Sequence, residues 1–188
     1  MANLIYSTIS SLDGYIEDEA GQFDWAVPSD EVHAFINDAM RPVGTHLYGR
    51  RMYEMMRVWE TDPGLTKDSP LMADFARLWQ AADKVVFSRT LERVSTSRTR
   101  LVREFEPDMV RQMKAREERD LIIGGSVLAT EAFRAGLVDE CQLFLVPISV
   151  GGGKPSLPNG LRLLLDLAEQ RRFADGTVYL RYLIKRGV

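Results

Sequence analysis

The chain has 188 residues, of which 45% are hydrophobic and 27% are charged, and its formal net charge at neutral pH is -3. This size and composition are typical of one globular domain with a sizeable core, so residues 1–188 are predicted to form a single domain. The negative charge argues against a dedicated nucleic-acid-binding protein. Because Cys141 is the single cysteine, an internal disulfide is excluded, and a buried apolar role is predicted for it.

Targeting signals are not evident in the sequence. No apolar stretch approaches the ~20 residues that a membrane helix needs, and the N-terminus lacks the basic and apolar regions of a secretory signal peptide. We therefore expect a cytoplasmic protein with no membrane partner. A basic stretch over residues 93–103 could contact RNA, but without interleaved aromatic residues a solvated face is favoured.

Apolar patterns in the first half of the chain alternate between strand-like and helix-like. Residues 4–9 form an apolar run that is typical of a strand buried on both faces. Ser29 is placed to cap a helix, since apolar residues then repeat with i, i+3, i+4 spacing as far as Met40. The remaining elements predicted in this half are a strand at 45–48, a helix beginning near Arg50, an amphipathic helix around 71–79 and a strand at 84–87.

The second half continues this alternation. Its predicted helices begin at Pro107, which suits a first helical turn, and at Ser126, which is predicted to cap a helix that ends at Gly136. The predicted strands are one short strand within 90–103, one at 121–123, a central one at 141–148, and an antiparallel pair formed by 163–173 and 178–184. Together the elements predict an α/β three-layer sandwich: a mostly parallel central sheet, helices on both faces, and antiparallel C-terminal strands.

Two glycine-led turns mark the places where a ligand could bind. Gly124 and Gly125 follow a buried strand and precede a helix, so a ligand can approach the backbone closely and meet the free N–H groups of the first turn. This is a natural seat for a pyrophosphate, although a tight strand-to-helix turn explains the glycines equally well. The candidate binding residues here are Gly124, Gly125, Ser126, Val127 and Leu128.

Basic residues follow two other predicted strands. Gly49 opens a helix with Arg50 and Arg51, and guanidinium groups at that end are explained by a bound anion or, alternatively, by solvation at the surface. Ser88 and Arg89 follow the 84–87 strand and could hold another phosphate. The carboxyl ends of parallel strands share one edge, so these three candidate anion sites should lie close together. A dinucleotide with a 2′-phosphate, such as NADPH, explains all three sites better than a single phosphate does.

Several other site types are excluded by pattern. The chain contains no G-x-G-x-x-G, and the glycines at 151–153 do not form a P-loop. The two histidines, His33 and His46, have no partner at metal-ligand spacing, so no metal site is predicted and both are interpreted as packing or surface residues.

The order of four motifs resembles the riboflavin-biosynthesis reductase family, which is similar to the C-terminal domain of the bifunctional deaminase-reductase RibD and has a dihydrofolate-reductase-like fold. The motifs are Ser11-Leu12-Asp13-Gly14-Tyr15-Ile16, Gly49-Arg50-Arg51-Met52-Tyr53-Glu54, Gly124-Gly125-Ser126-Val127-Leu128, and Pro147 with Gly151-Gly152-Gly153. Met52 stands where the family has threonine, and Ser7 where riboflavin-pathway members commonly have lysine. The H-x-E and P-C-x-x-C motifs of a deaminase are absent, so deamination is not expected.

The resemblance implies an NADPH-dependent oxidoreductase that reduces a small heterocyclic substrate, as 5-amino-6-(5-phosphoribosylamino)uracil reductase does. It implies that Gly49, Arg50, Arg51 and the 124–128 turn hold the cofactor phosphates, with Ser88 and Arg89 near the 2′-phosphate. Asp13 is the first candidate to orient or relay a proton and Glu31 the second. The alternatives are a dihydrofolate reductase and a non-catalytic nucleotide-binding module. A homodimer is implied only by the resemblance.

Overall fold

The computed structural model describes residues 1–185 and has alternating strands and helices along the chain. The strands are β1 (Leu4–Ser11), β2 (Tyr15–Glu17), β3 (Val43–Gly49), β4 (Asp83–Phe87), β5 (Thr99–Val102), β6 (Asp120–Gly124), β7 (Glu140–Val146), β8 (Lys154–Pro155), β9 (Leu165–Arg172) and β10 (Val178–Ile184). The α-helices are α1 (Asp30–Met40), α2 (Arg50–Met56), α3 (Val58–Thr61), α4 (Pro70–Ala81), α5 (Pro107–Arg116) and α6 (Ser126–Arg134).

Eight strands form one sheet in the order β5-β4-β3-β6-β1-β7-β10-β9. The first six of these run parallel, with helices connecting most of them and a loop without a helix between β4 and β5, and β9 and β10 form an antiparallel hairpin at the end. β2 and β8 pair separately as a short two-stranded ribbon. The α/β fold with a mostly parallel sheet and antiparallel C-terminal strands is therefore confirmed.

The core lies on both faces of the sheet, because successive strand residues point to opposite sides. In β6, Leu121 and Ile123 pack into a cluster under α5 and α6, whereas Ile122 between them packs with Phe75 and Trp79 of α4 on the other face. This explains why the parallel strands are continuous apolar runs rather than alternating ones. Cys141 is fully buried in the first cluster, as predicted.

Two local predictions need correction, and one element was missed. Ser126 does not cap α6: Gly125 occupies the cap position and Ser126 is the first helical residue. The strand predicted to end at residue 148 ends at Val146. The ribbon of β2 and β8 was not predicted, because strands of three and two residues carry too little periodicity to be recognised.

The helix starts predicted at Ser29 and Pro107 and the packing role of the histidines agree with the structure. The Ser29 hydroxyl caps α1 by accepting a hydrogen bond from the Val32 N–H at 3.4 Å. The helix predicted to begin at Pro107 does so and runs to Arg116. His33 and His46 are both buried. Among residues 1–185, no helix is long and apolar enough to cross a membrane, and no group of metal-ligating side chains is found.

Candidate functional site

The predicted cofactor residues follow strands that all end at the same edge of the sheet. β4 ends at Phe87, β3 at Gly49 and β6 at Gly124, and the register of the parallel pairs brings these ends side by side. Asp13 follows β1, which is the next strand along this edge. The carboxyl edge of a parallel sheet is where ligands of such folds bind.

The turn between β6 and α6 has a backbone that only glycine adopts easily. Gly125 has a φ angle of 90°, which is in the region that side chains disfavour. Within residues 1–185 no side chain caps α6, so the first N–H groups of the helix are left without a side-chain acceptor, and the N–H of Ala129 bonds to the Gly125 carbonyl. Val127 is 69% exposed beside these groups, whereas Leu128 is buried in the core.

The turn at Gly49 packs directly against the turn at Gly124. A Cβ placed on Gly49 would lie 4.0 Å from the Cβ of Leu128, and a Cβ on Gly124 would lie 3.0 Å from the Tyr48 ring and 3.1 Å from the Cε of Met52. The structure therefore brings these two predicted phosphate-binding turns together. The small size of Gly124 permits this contact, because a side chain there would press against the Tyr48 ring and Met52, whereas one on Gly49 would make an ordinary contact.

The two arginines that begin α2 are engaged with neighbouring loops. Arg50 donates to Glu54 at 2.8 Å and to the hydroxyl of Thr90 at 3.1 Å, which links it to the loop that follows β4. Arg51 forms an ion pair with Glu17 of β2 at 2.8 Å. Both arginines remain exposed, with about half or more of each side chain accessible to solvent. Each guanidinium therefore retains donors that could face an anion.

Ser88 and Arg89 occupy the neighbouring loop in different ways. The Ser88 side chain is buried, and its oxygen accepts hydrogen bonds from the backbone N–H groups of Thr90 at 3.3 Å and Leu91 at 3.0 Å. Arg89 is exposed and pairs with Glu104 at 3.1 Å. Ser88 thus shapes the loop, and Arg89 is the residue of the pair whose charge reaches solvent.

Asp13 connects two loops at this edge. Its carboxylate accepts hydrogen bonds from the hydroxyl of Ser149 at 2.8 Å and from the backbone N–H groups of Val150 at 3.2 Å and Gly151 at 2.8 Å. The Ser11 hydroxyl and these donors hold the pKa of Asp13 well below its usual range, since each of them favours the charged form. Asp13 therefore remains a carboxylate at neutral pH and fixes the loop after β7.

The substitution Asp13→Asn is expected to loosen this loop, because an amide replaces one accepting oxygen by an N–H donor that faces other donors. Hydrogen exchange of the Val150 and Gly151 amides should become about tenfold faster, the effect of losing one hydrogen bond. In the wild type, the protection that the Asp13 carboxylate gives these two amides should be complete above a pH of about 4, the ordinary Asp pKa. It should be lost as the pH falls toward the lowered pKa of Asp13 in the folded protein. NMR-detected exchange measures both effects.

Asp18→Asn provides a matched control for that experiment. Asp18 also accepts hydrogen bonds from loop N–H groups, those of Ala20 at 2.8 Å and Gln22 at 2.9 Å. Its substitution should leave exchange at Val150 and Gly151 unchanged. Unaltered exchange of those two amides in Asp13→Asn would contradict the role of Asp13 in holding the loop.

Glu31 lies in the first turn of α1, where it contacts the hairpin of β9 and β10 rather than Asp13. Its carboxylate pairs with Arg171 at 3.2 Å and accepts from the Ala174 N–H at 3.0 Å. Among residues 1–185, no hydrogen bond joins the two carboxylates that were predicted to be catalytic. Glu31 thus anchors the hairpin to the start of α1.

Glu17 is a residue at this edge that the sequence analysis missed. It pairs with Arg51 and lies 3.9 Å from the Nζ of Lys154, so it joins α2 to the β2–β8 ribbon. A cavity of about 710 Å³ adjoins it, lined by residues 17–21 and 153–155. Gly153 packs against the backbone of Glu17, since a Cβ on Gly153 would overlap the Glu17 carbonyl. The glycine run at 151–153 is therefore the sequence signal that could have indicated this contact.

The fold and the order of these turns define a dihydrofolate-reductase-like α/β domain. The family model of the RibD C-terminal domain matches residues 2–179, so the chain belongs to the RibD C-terminal domain family. It is 27% identical over 181 residues to YyaP, an uncharacterized protein of Bacillus subtilis (strain 168), which covers 95% of this chain and 93% of the relative.

Solved structures share the fold at lower identity. A Shewanella sp. PV-4 protein assigned to riboflavin biosynthesis has a TM-score of 0.71 at 24% identity, covering 99% of this chain and all of that one. A pyrimidine reductase-like protein of Corynebacterium diphtheriae has a TM-score of 0.66 at 13% identity, with 99% and 93% coverage. The Thermotoga maritima deaminase/5-amino-6-(5-phosphoribosylamino)uracil reductase has a TM-score of 0.65 at 15% identity, and the 98% of this chain that aligns spans only 57% of it.

Proposed function

We propose that the protein is an NADPH-dependent reductase of a small heterocyclic substrate. The observation that carries this proposal is the contact between the two glycine turns at the carboxyl edge of the sheet. A Cβ placed on Gly49 would lie 4.0 Å from the Cβ of Leu128. This arrangement places the uncapped N–H groups of α6 and the arginines that begin α2 at one edge of the sheet. Membership of the RibD C-terminal domain family supports a reductase, since the named relatives include one.

The residues at this edge suit a phosphorylated dinucleotide. The Gly125 turn and the first N–H groups of α6 would hold the pyrophosphate, where the helix dipole favours an anion. Arg50 and Arg51 would donate to adjacent phosphate oxygens, with Arg89 toward the 2′-phosphate. When bound, the reduced nicotinamide would supply a hydride, and the chain would supply binding and orientation.

The acidic residues would act by positioning. Asp13 stays ionised and fully engaged, so it would hold the 149–151 loop at the site rather than donate a proton itself. Glu31 would fix the β9–β10 hairpin at the same edge. The cavity beside Glu17 and Lys154 would take the substrate, since a carboxylate and an ammonium can bond the alternating donors and acceptors of a heterocycle.

The proposal predicts saturable binding of NADPH in calorimetric titration, with a dissociation constant in the range of about 1 μM to 1 mM that is common for enzyme substrates. Arg50→Gln should weaken binding about tenfold, the effect of one lost charge-assisted hydrogen bond. Arg77→Gln is the matched control, because Arg77 is an exposed arginine of α4 that pairs with Asp74. Absence of saturation with NADPH and with NADH would overturn the proposal.

Substrate class is tested by following the absorbance of the reduced nicotinamide while candidate substrates are offered. Oxidation with the pyrimidine intermediate of riboflavin synthesis would support the proposed substrate class. Oxidation with dihydrofolate alone would support the alternative of a dihydrofolate reductase. Binding without oxidation across a broad panel would favour the non-catalytic nucleotide-binding module.

A further inference from the structure

A second cavity lies at the opposite edge of the sheet, where β3, β4 and β5 begin. Its volume is about 610 Å³, within the range of about 300–1,000 Å³ that is typical of small-molecule sites. Thr45, Val85 and Arg100 form one side of it. Their side chains share a face of the sheet. Val85 pairs with Arg100 on one side and with Leu47 on the other, and Thr45 lies two residues before Leu47 and so points to the same face.

Helix α5 forms the other side of this cavity. Met109, Gln112, Met113 and Arg116 line it and recur with the spacing of one helical face. The helix is held in place from its opposite side, because its Lys114 is buried and donates to the carbonyl of Leu137 at 2.7 Å. The cavity is therefore bounded by two fixed elements.

Thr45 lies in the wall of this cavity with its hydroxyl shielded from solvent. Its side chain is almost completely buried, with 1% of the residue exposed, and its Oγ1 makes no hydrogen bond within the described part of the chain. Buried hydroxyl groups are nearly always bonded, since desolvation without a partner is costly. The Thr45 oxygen is shielded even from water, so it does not bond a ligand in the cavity, and Thr45 serves as part of the wall.

The cavity also gathers positive charge. Arg100 makes its one hydrogen bond within residues 1–185 to the Sδ of Met113 at 3.5 Å, and a thioether is a weak acceptor. The Arg116 side chain has neither a hydrogen bond nor an ion pair within the same residues. Lys84 also lines the cavity, but its ammonium donates to the carbonyls of Trp79 and Ala82 on the other face of the sheet, so its charge does not add to the cavity. Of the two acidic lining residues, Asp83 already pairs with Arg98 at 2.9 Å. Glu117 is the other acidic residue.

We propose that this cavity binds a small organic anion that carries a phosphate or carboxylate group on an apolar body. The guanidinium groups of Arg100 and Arg116 would bind the anionic group, because their planar forks match its oxygens. The apolar body would lie against Val85, Met109 and Met113. This site is distinct from the carboxyl edge and does not depend on NADPH binding there.

Calorimetric titration with phenyl phosphate and with benzoate tests the proposal, and comparing the two distinguishes the phosphate from the carboxylate form. At least one should bind saturably and more tightly than inorganic phosphate, which lacks the apolar body. Arg100→Gln and Arg116→Gln should each weaken that binding about tenfold. Thr45→Val is the control in the cavity wall: it should leave probe binding unchanged and the thermal midpoint unchanged or higher, because the removed hydroxyl is shielded and makes no hydrogen bond within residues 1–185.

Arg50→Gln separates this cavity from the opposite edge and should not affect the affinity for the probe. Loss of probe binding in Arg50→Gln but not in Arg100→Gln would place the ligand at the carboxyl edge and overturn the proposal. Absence of saturation with both probes, or unchanged affinity in both cavity arginine variants, would also overturn it. If inorganic phosphate bound as tightly as either probe, the proposed ligand class would be wrong.

Discussion

Replacing Gly125 with valine is expected to weaken NADPH binding about a hundredfold, since two charge-assisted hydrogen bonds of about 1.5 kcal/mol each would be lost. Gly125 has a φ angle of 90°, and a side chain there forces the turn to change. A Cβ would also lie 3.5 Å from that of Met52, so the larger valine would crowd α2. The first N–H groups of α6 would no longer point at a pyrophosphate.

Gly136→Ala is the control for backbone strain at Gly125. Gly136 ends the same helix with a φ angle of 64°, and a Cβ there meets no atom within 4 Å. Gly136→Ala should lose about 1–2 kcal/mol of stability, the cost of a left-handed residue with a side chain, and Gly125→Val should lose at least as much, because valine also crowds Met52. Only Gly125→Val should lose NADPH affinity. Folded Gly125→Val protein that binds NADPH like the wild type would discard the pyrophosphate site.

Sequence patterns predicted the elements whose signals are local. The bounds of α5 follow from Pro107, which suits a first helical turn, and the end of α6 follows from Gly136. The cap of α6 was assigned wrongly, because serine usually caps but the positive φ of Gly125 moves the helix start by one residue. The pairing of Tyr15 with Pro155 depends on distant contacts that no local pattern contains.

The candidate site shows the same division. The strand-turn-helix pattern placed Gly49 and Gly124 at one edge, because parallel strands share their carboxyl ends. The partners of the acidic residues could not be predicted, since Asp13 bonds to Ser149 from 136 positions away and Glu31 to Arg171 from 140. Contacts of such separation are created by the packing of the whole sheet. Local sequence therefore identified the candidate residues but not their contacts.

Removing the carboxylate of Asp139 is expected to lower the free energy of unfolding by about 3–5 kcal/mol, because it leaves a buried ammonium group without its counter-ion. That group is the Nζ of Lys114, whose side chain is 6% exposed and which forms an ion pair with Asp139. Asp139 also accepts from the Leu4 N–H at 2.8 Å. One carboxylate thus joins α5 to the beginnings of β1 and β7.

Urea unfolding of Asp139→Ala and of the Asp139→Ala/Lys114→Met double variant tests the pair. The double variant should recover to a loss of about 1–3 kcal/mol, which is the cost of leaving the Leu4 N–H without its acceptor. Asp108→Ala breaks the exposed pair with Arg111 and should cost less than about 1 kcal/mol. If Asp139→Ala cost no more than Asp108→Ala, the buried pair would not hold α5. If the double variant were as unstable as Asp139→Ala, removing the unpaired ammonium of Lys114 would have restored no stability. The loss would then not arise from the broken ion pair.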